Sequence, residues 1–182
     1  LTGYYLRKYM NETVSLSPTN PIKKPHHFIL LRYAETLLNY AEAMNELGGP
    51  DYASDADELP MSARTALNMV RSAANMPNIT DNGDDFTTRL RNERRIELAF
   101  EDHRYYDLRR WKDAEVEESK KNYGCNFYMS DTEEQREQFY TPIEIADLPT
   151  AFSRKLYFWP ISHDELKRNK RLTQNPGWTY ND

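Results

Sequence analysis

The clearest hydrophobic pattern in the chain lies in residues 28–47. Apolar side chains recur there at intervals of three and four residues, at Leu30, Ala34, Leu37, Ala41, Met44 and Leu47. This spacing places them on one face of an α-helix, and the following Gly48-Gly49-Pro50 is typical of a helix stop. The pattern predicts a helix over 28–47, and its mixture of large residues and alanines lets another helix approach closely.

A second helix is predicted after Ser62, because serine favours the N-cap position. Its apolar face has four members, Ala63, Leu67, Val70 and Ala74. The helix is expected to end at residues 75–77, where Asn75 tolerates a left-handed backbone and a proline follows.

Residues 93–111, ERRIELAFEDHRYYDLRRW, carry a helical pattern in which charge replaces leucine. We expect a third helix from an N-cap at Asp84 or Asp85 to about Phe100. A fourth is expected from about Arg104 to Glu118, either continuous with the third or broken near Asp102. Six residues fall within about 80° of one another on the shared face. They are Phe86, Leu90, Glu93, Glu97, Phe100 and Arg104.

Such a face has to bury carboxylates, and an unpaired buried carboxylate is costly. Glu93 and Glu97 should therefore each contact a guanidinium. The candidates nearby in sequence are Arg94, Arg95, Arg104, Arg109 and Arg110. On this basis, replacing either glutamate with glutamine should lower stability by about 3 kcal/mol or more.

The same glutamates allow a catalytic or metal-binding interpretation, since Glu93, Glu97 and Glu101 follow one another at four-residue spacing. A di-metal helix bundle normally uses Glu-x-x-His motifs, but His103 follows Glu101 by only two residues. A glycosidase needs two carboxylates that face each other across a cleft, which one helix face does not provide. We therefore favour a structural ion-pair network and assign no catalytic residue, metal ligand or cofactor.

Two acidic loops could bind calcium. The first holds Asp55, Asp57 and Glu58, and the second holds Asp81, Asn82, Asp84 and Asp85. Neither matches the spacing of a twelve-residue calcium loop, so solvated acidic loops are the favoured interpretation.

The remainder of the chain has weaker patterns. We divide a single α-rich unit, 1–182, into an extended arm and loop (1–27), a helical core (28–118) and a loop-rich C-terminal cap (119–182). Within the cap, a short strand is predicted over 154–162 and one helical turn over 163–167. We expect Trp111 and Trp159 to lie in the core and Trp178 to anchor the C-terminus.

Composition argues against some functions. The 182 residues carry a formal net charge of -5, with a pI near 5.5, so the basic surface that nucleic-acid binders need is missing. Cys125 is the one cysteine of the chain, which excludes a disulfide framework and a cysteine zinc site. The sequence begins at Leu1, with neither a methionine nor a signal-peptide pattern, so we expect the chain to be part of a longer protein.

Several segments resemble the C-terminal half of SusD/RagB-like proteins, in the same order and at similar spacing. They are TGYYLRKY (2–9), LRYAETLLNYAEAMNELGG (31–49), ALNMVRSAANMP (66–77), LRNERRIELAFEDHRYYDLRRW (90–111), FWPIS (158–162) and QNPGW (174–178). Two positions depart from the family pattern, because Asp102 and Asn75 stand where glycine is usual. Both residue types tolerate positive φ, so we expect local turn geometry to be preserved.

The resemblance implies a fold of antiparallel helix pairs similar to tetratricopeptide repeats, with long loops and little β-structure. It also implies a surface-exposed outer-membrane lipoprotein without catalytic activity. Such proteins bind glycans or peptides as nutrients and act with a SusC-like TonB-dependent transporter. The signal peptide, the lipid anchor and much of the ligand site would then lie in a missing N-terminal part.

Sugar-binding surfaces commonly present flat aromatic rings beside hydrogen-bonding groups. The loop aromatics that we consider as ligand contacts are Tyr52, Tyr123, Phe127 and Tyr128. Packing of each ring beneath its own loop is the structural alternative. A helical scaffold that binds a peptide or protein partner is the alternative function.

Overall fold

The computed structural model describes residues 4, 6–25, 27, 29–53, 60–125, 142–145 and 152–179. Helices dominate these residues, which confirms the mainly α prediction. They are α1 (Tyr33–Gly48), α2 (Ala63–Ala73), α3 (Gly83–Glu97), α4 (His103–Arg110), α5 (Ala114–Glu117), a 3-10 helix (Arg154–Tyr157) and α6 (His163–Arg168). The described β-structure consists of β1 (Tyr123–Gly124) antiparallel to β2 (Ile143–Glu144), with an isolated bridge between Ser15 and Ile22.

The chain forms two compact units. We call residues 8–104 the helical unit, and residues 1–7 with 105–182 the C-terminal unit. The sequence-based division into one unit with three zones stays a prediction. None of the described helices is long and apolar enough to cross a membrane.

Packing of α1 against α2 and α3 forms the core of the helical unit. Its largest fully buried side chains are Leu38, Leu67 and Phe86, one from each helix. The predicted face of α1 is confirmed at its centre, where Leu37, Ala41 and Met44 are buried. It is wrong at both ends, because Leu30 and Leu47 are 78% and 61% exposed.

The first helix begins at Tyr33, later than the predicted residue 28. Arg32 has an extended backbone, with φ −146° and ψ 156°, so the helix cannot continue through it. The side chain of Arg32 contacts Glu97, the last residue of α3, and Glu101 beyond it, as described below. A tertiary contact therefore sets this boundary, and local periodicity could not reveal it.

The predicted start of α2 is confirmed, and the helix ends at Ala73, slightly earlier than predicted. The Ser62 hydroxyl accepts a hydrogen bond from the Thr65 backbone N–H at 3.2 Å, as an N-cap should. Asn75 has φ +54°, so it adopts the left-handed conformation expected after the helix. The last member of the predicted face, Ala74, is exposed because the helix has already ended.

The third helix starts and ends earlier than predicted. It begins at Gly83 with Asn82 as N-cap, so the prediction of Asp84 or Asp85 is wrong. It ends at Glu97, and Phe100 and Asp102 both have positive φ, 62° and 63°. The third and fourth helices are therefore broken apart. Because the chain turns away here, Phe100 is 67% exposed, and the predicted buried face does not extend beyond α3.

The fourth predicted helix is two helices. After α4, Lys112 takes φ +59°, and α5 forms a single further turn up to Glu117. A left-handed residue interrupts the regular i to i−4 hydrogen bonds, which explains why the predicted helix up to Glu118 is divided.

The tail of the C-terminal unit differs from its prediction in two respects. Residues 154–157 form a 3-10 helix, so the predicted strand is wrong there. Trp159 is 73% exposed, so its predicted core position is also wrong. The helical turn after Ser162 is confirmed as α6. The anchoring of Trp178 is confirmed too, because its indole N–H lies 3.0 Å from the carbonyl oxygens of Lys155 and Phe158.

Candidate functional site

The buried carboxylate of Glu93 is paired, as predicted, but its partner is Arg71 on α2. Both side chains are largely buried, 9% exposed for Glu93 and 15% for Arg71. Arg71 also donates from Nε to the Pro77 carbonyl at 2.7 Å, which holds the guanidinium in place. This ion pair ties the end of α2 to the middle of α3.

A second cluster lies where α3 ends. Arg32 Nη1 is 2.5 Å from Glu97 Oε1, and Arg32 Nε is 2.7 Å from Glu101 Oε2. Lys8 Nζ contacts the Glu101 carboxylate and lies 2.9 Å from the carbonyl oxygens of both Glu97 and Ala99. Burial acts to raise the pKa of Glu101, but hydrogen bonds from Arg32 and Lys8 lower it below its usual value. We call Lys8, Arg32, Glu97 and Glu101 the charge cluster.

The arginines proposed from sequence are wrong as partners of Glu93 and Glu97. Arg94 donates to Asn39 Oδ1 at 2.6 Å, Arg109 pairs with Glu118 at 2.8 Å, and Arg110 pairs with Asp107 at 2.9 Å. Arginines adjacent on the same helix point away from a core-facing glutamate. The sequence held one indication that Arg71 is the partner of Glu93. Arg71 follows the core residue Leu67 by four positions, so both lie on the same face of α2.

The four aromatic residues proposed as ligand contacts have different settings. Tyr52 is half-buried, packs against the core and lies over Gly48. Tyr123 is 52% exposed on β1. Phe127 and Tyr128 lie outside the described residues. The role of all four in ligand binding stays a prediction.

A larger aromatic surface lies in the C-terminal unit, at residues that the sequence did not single out as ligand contacts. The Arg109 guanidinium lies 3.4 Å from the ring centroid of Tyr105. Tyr105 in turn stacks on Trp159, with centroids 6.2 Å apart and planes at 30°, and contacts Tyr106 edge-on. Trp159 and Tyr106 are 73% and 66% exposed. These two exposed rings, which are held by Tyr105, offer flat apolar faces to a ligand.

A cavity of about 640 Å³ lies in the same unit. Its lining residues are Arg109, Lys112, Glu115, Arg154, Tyr157 and Phe158. This volume is within the range typical of small-molecule sites. Two cations of the lining are already paired, Arg154 with Glu115 at 3.0 Å and Arg109 with Glu118 outside the lining. We call this the C-terminal cavity.

Three polar groups of the C-terminal cavity lack partners among the residues that the structure describes. The Tyr157 hydroxyl oxygen and Arg109 Nε are shielded from solvent and make no hydrogen bond. Lys112 is exposed at the surface, and no ion pair involves its ammonium group in the described part of the chain. Buried groups without a partner are uncommon, so their presence on one cavity marks it as a candidate site.

A second cavity, of about 450 Å³, adjoins the charge cluster in the helical unit. Tyr9, Met10 and Ile29 supply apolar lining, while Arg32 and Glu101 supply charge. Tyr9 has φ +68°, and its hydroxyl lies 3.4 Å from the Phe100 carbonyl. Since the charges of this cavity already neutralise one another, it offers less to a polar ligand than the C-terminal cavity does.

In its described residues the chain is therefore mainly helical, and cavities with aromatic side chains in their linings lie at its loops and helix ends. The sequence profile of the SusD family matches residues 1–178, so the chain belongs to that family.

Comparison with individual proteins agrees with this assignment. The chain is 28% identical to SusD-like protein P2 of Formosa agariphila over 90% of its own length, and 38% identical to SusD-like protein P38 of that organism over 58%. A crystal structure of a SusD-like protein from Bacteroides fragilis superposes on 82% of the chain, with a TM-score of 0.62 and 34% identity. The matches span 28%, 20% and 26% of those relatives.

Proposed function

We propose that this chain is the C-terminal part of a non-catalytic, surface-exposed outer-membrane lipoprotein that binds an oligosaccharide nutrient. It would then pass the nutrient to a SusC-like TonB-dependent transporter. The observation that carries the proposal is the match to the SusD family over residues 1–178. The lipid anchor and the transporter contact belong to this proposal as properties of the family.

The C-terminal unit supports carbohydrate as the nutrient class. Trp159 and Tyr106 expose aromatic faces, and the adjoining lining of Arg109, Lys112 and Tyr157 provides donors for hydroxyl oxygens. Apolar sugar faces stack on such rings, while directional hydrogen bonds set their orientation.

The state of the carboxylates supports capture without catalysis. Glu93, Glu97 and Glu101 each contact a guanidinium or ammonium group. A general acid has to hold a proton near neutral pH, whereas the contacts of Glu101 favour its ionised form.

Binding is tested by isothermal titration calorimetry of the native full-length protein against a panel of neutral and acidic oligosaccharides. Saturable binding to at least one is expected. We expect Trp159→Ala to weaken it roughly tenfold, the loss that removal of one stacking ring causes. Tyr33→Ala is the matched control, because Tyr33 is 66% exposed on the helical unit and should leave affinity unchanged.

Two outcomes would overturn the proposal. Peptide binding with no response to any oligosaccharide would favour the helical scaffold that binds a protein partner. Release of reducing sugar by the purified protein, abolished in a folded Glu93→Gln variant, would show catalysis. Handover is tested by purifying the native protein from detergent-solubilised outer membranes, where a TonB-dependent transporter should accompany it.

A further inference from the structure

The C-terminal cavity combines apolar and cationic features on one lining. Phe158 is 58% exposed and lines the cavity, while Tyr157 is held edge-on to Phe152, with ring centroids 4.9 Å apart. An aromatic wall of this kind suits the apolar face of a pyranose ring.

The charge of the lining is not balanced. Arg154 and Arg109 are neutralised by Glu115 and Glu118, whereas Lys112 has no acidic partner among the described residues. Counted over the residues that the structure describes, the cavity therefore has one positive charge available, and this charge lies at the surface, where a ligand can reach it.

Two further donors lie behind the lining, the Tyr157 hydroxyl and Arg109 Nε, both without a hydrogen bond among the described residues. Leaving such a group unpaired costs about 1–3 kcal/mol. A hydrogen bond from either atom to a ligand oxygen would remove that cost. Both donors favour an oxygen-rich ligand over an apolar one.

We propose that the C-terminal cavity binds a uronic acid residue, with its carboxylate on Lys112 and its ring face on Phe158. This inference rests on the proposed oligosaccharide binding and names the class of sugar. One carboxylate per sugar matches the one cation of the lining that is unpaired among the described residues, and the ring hydroxyls are the partners of Tyr157 and Arg109.

The test uses the native full-length protein and isothermal titration calorimetry with trisaccharides of galacturonate, mannuronate and guluronate. The methyl ester of each trisaccharide is the reference, since it keeps the sugar and removes the charge. We expect at least one acid to bind roughly tenfold tighter than its ester, because a charge-assisted contact is lost in the ester. The advantage should shrink at high salt, since the ammonium group lies at the surface.

Three variants assign the effect to the cavity. Lys112→Gln should remove the preference for acid over ester, because glutamine keeps a hydrogen-bond donor but not the charge. Phe158→Ala should weaken acid and ester alike, by roughly tenfold. Lys170→Gln removes one exposed positive charge elsewhere in the C-terminal unit and should preserve the preference. Circular dichroism melting confirms that each variant is folded.

The results separate this inference from the proposed function. Equal affinity for every acid and its ester, or an undiminished preference in folded Lys112→Gln, overturns the uronate site. If neutral oligosaccharides still bind in that case, the proposed function stands. Absence of binding to every oligosaccharide overturns both.

Discussion

Replacing Glu93 with glutamine tests the central energetic argument of the fold. The Glu93 side chain is 9% exposed and its partner Arg71 is 15% exposed, so the pair is shielded from water. Removing one member of a buried ion pair costs about 3–5 kcal/mol, because the remaining charge stays buried without compensation. Glutamine keeps the volume and can still accept one hydrogen bond. We therefore expect Glu93→Gln to lower the free energy of unfolding by about 3 kcal/mol, the lower limit of this range.

The structure predicts a different result for Glu97, although the sequence alone predicts equal losses. The side chains of Glu97 and Arg32 are 26% and 24% exposed, so water screens their attraction. In Glu97→Gln, Arg32 also keeps its contacts with Glu101 and with the Glu97 carbonyl. We expect a loss of about 1 kcal/mol for this variant.

Hydrogen exchange of the α3 amides in the native protein measures the local free energy of unfolding for both variants. Glu46→Gln, on the exposed face of α1, is the matched control and should change it little. Combining Arg71→Met with Glu93→Leu should be less destabilising than Glu93→Gln alone, because no buried charge then lacks a partner. Equal losses in Glu93→Gln and Glu97→Gln, or a loss below about 1 kcal/mol in Glu93→Gln, would refute the reasoning.

Three further predictions concern other parts of the chain. Folding lowers the pKa of Glu101, so its ionised form stabilises the protein fully above pH 4.5, the usual pKa, and less as the pH falls through the folded pKa. The free energy of unfolding, measured as the pH is lowered, should therefore decrease less steeply in Glu101→Gln. Gly48→Ala should lower the melting temperature despite the better helix propensity of alanine, because the new methyl group meets the Tyr52 ring. Adding Tyr52→Ala should restore part of the lost melting temperature. Trp178→Phe should increase hydrogen exchange near residues 155–158 and cost about 1–2 kcal/mol locally, since the indole N–H bonds to two carbonyls are lost.

Periodicity predicted the centres of the helices better than their ends. The core positions Leu37, Ala41 and Met44 followed from spacing alone, as did the Ser62 cap, because both depend on local geometry. The start of α1 did not, since Arg32 is drawn into a contact with residues more than sixty positions away. Helix ends fixed by tertiary contacts leave no local signal.

The candidate site was less predictable than the fold. Sequence reasoning considered aromatic residues in loops, whereas the exposed cluster joins Tyr105 and Tyr106 on α4 to Trp159 in the tail. Trp159 was assigned to the core because apolar residues surround it in the sequence. Neighbours along the chain do not determine which side of a short turn faces solvent, so only the three-dimensional arrangement brings these rings together.

The charge cluster brings two cations to the C-terminal end of α3. The last carbonyl groups of a helix lack partners within the helix, and its C-terminus favours positive charge. Lys8 and Arg32 both contact the Glu97 carbonyl, and Lys8 also contacts the Ala99 carbonyl, so two distant segments supply that charge at the end of α3. The carboxylates of Glu97 and Glu101 hold the same two cations in place. These glutamates therefore fasten the N-terminal arm and the start of α1 to the end of α3.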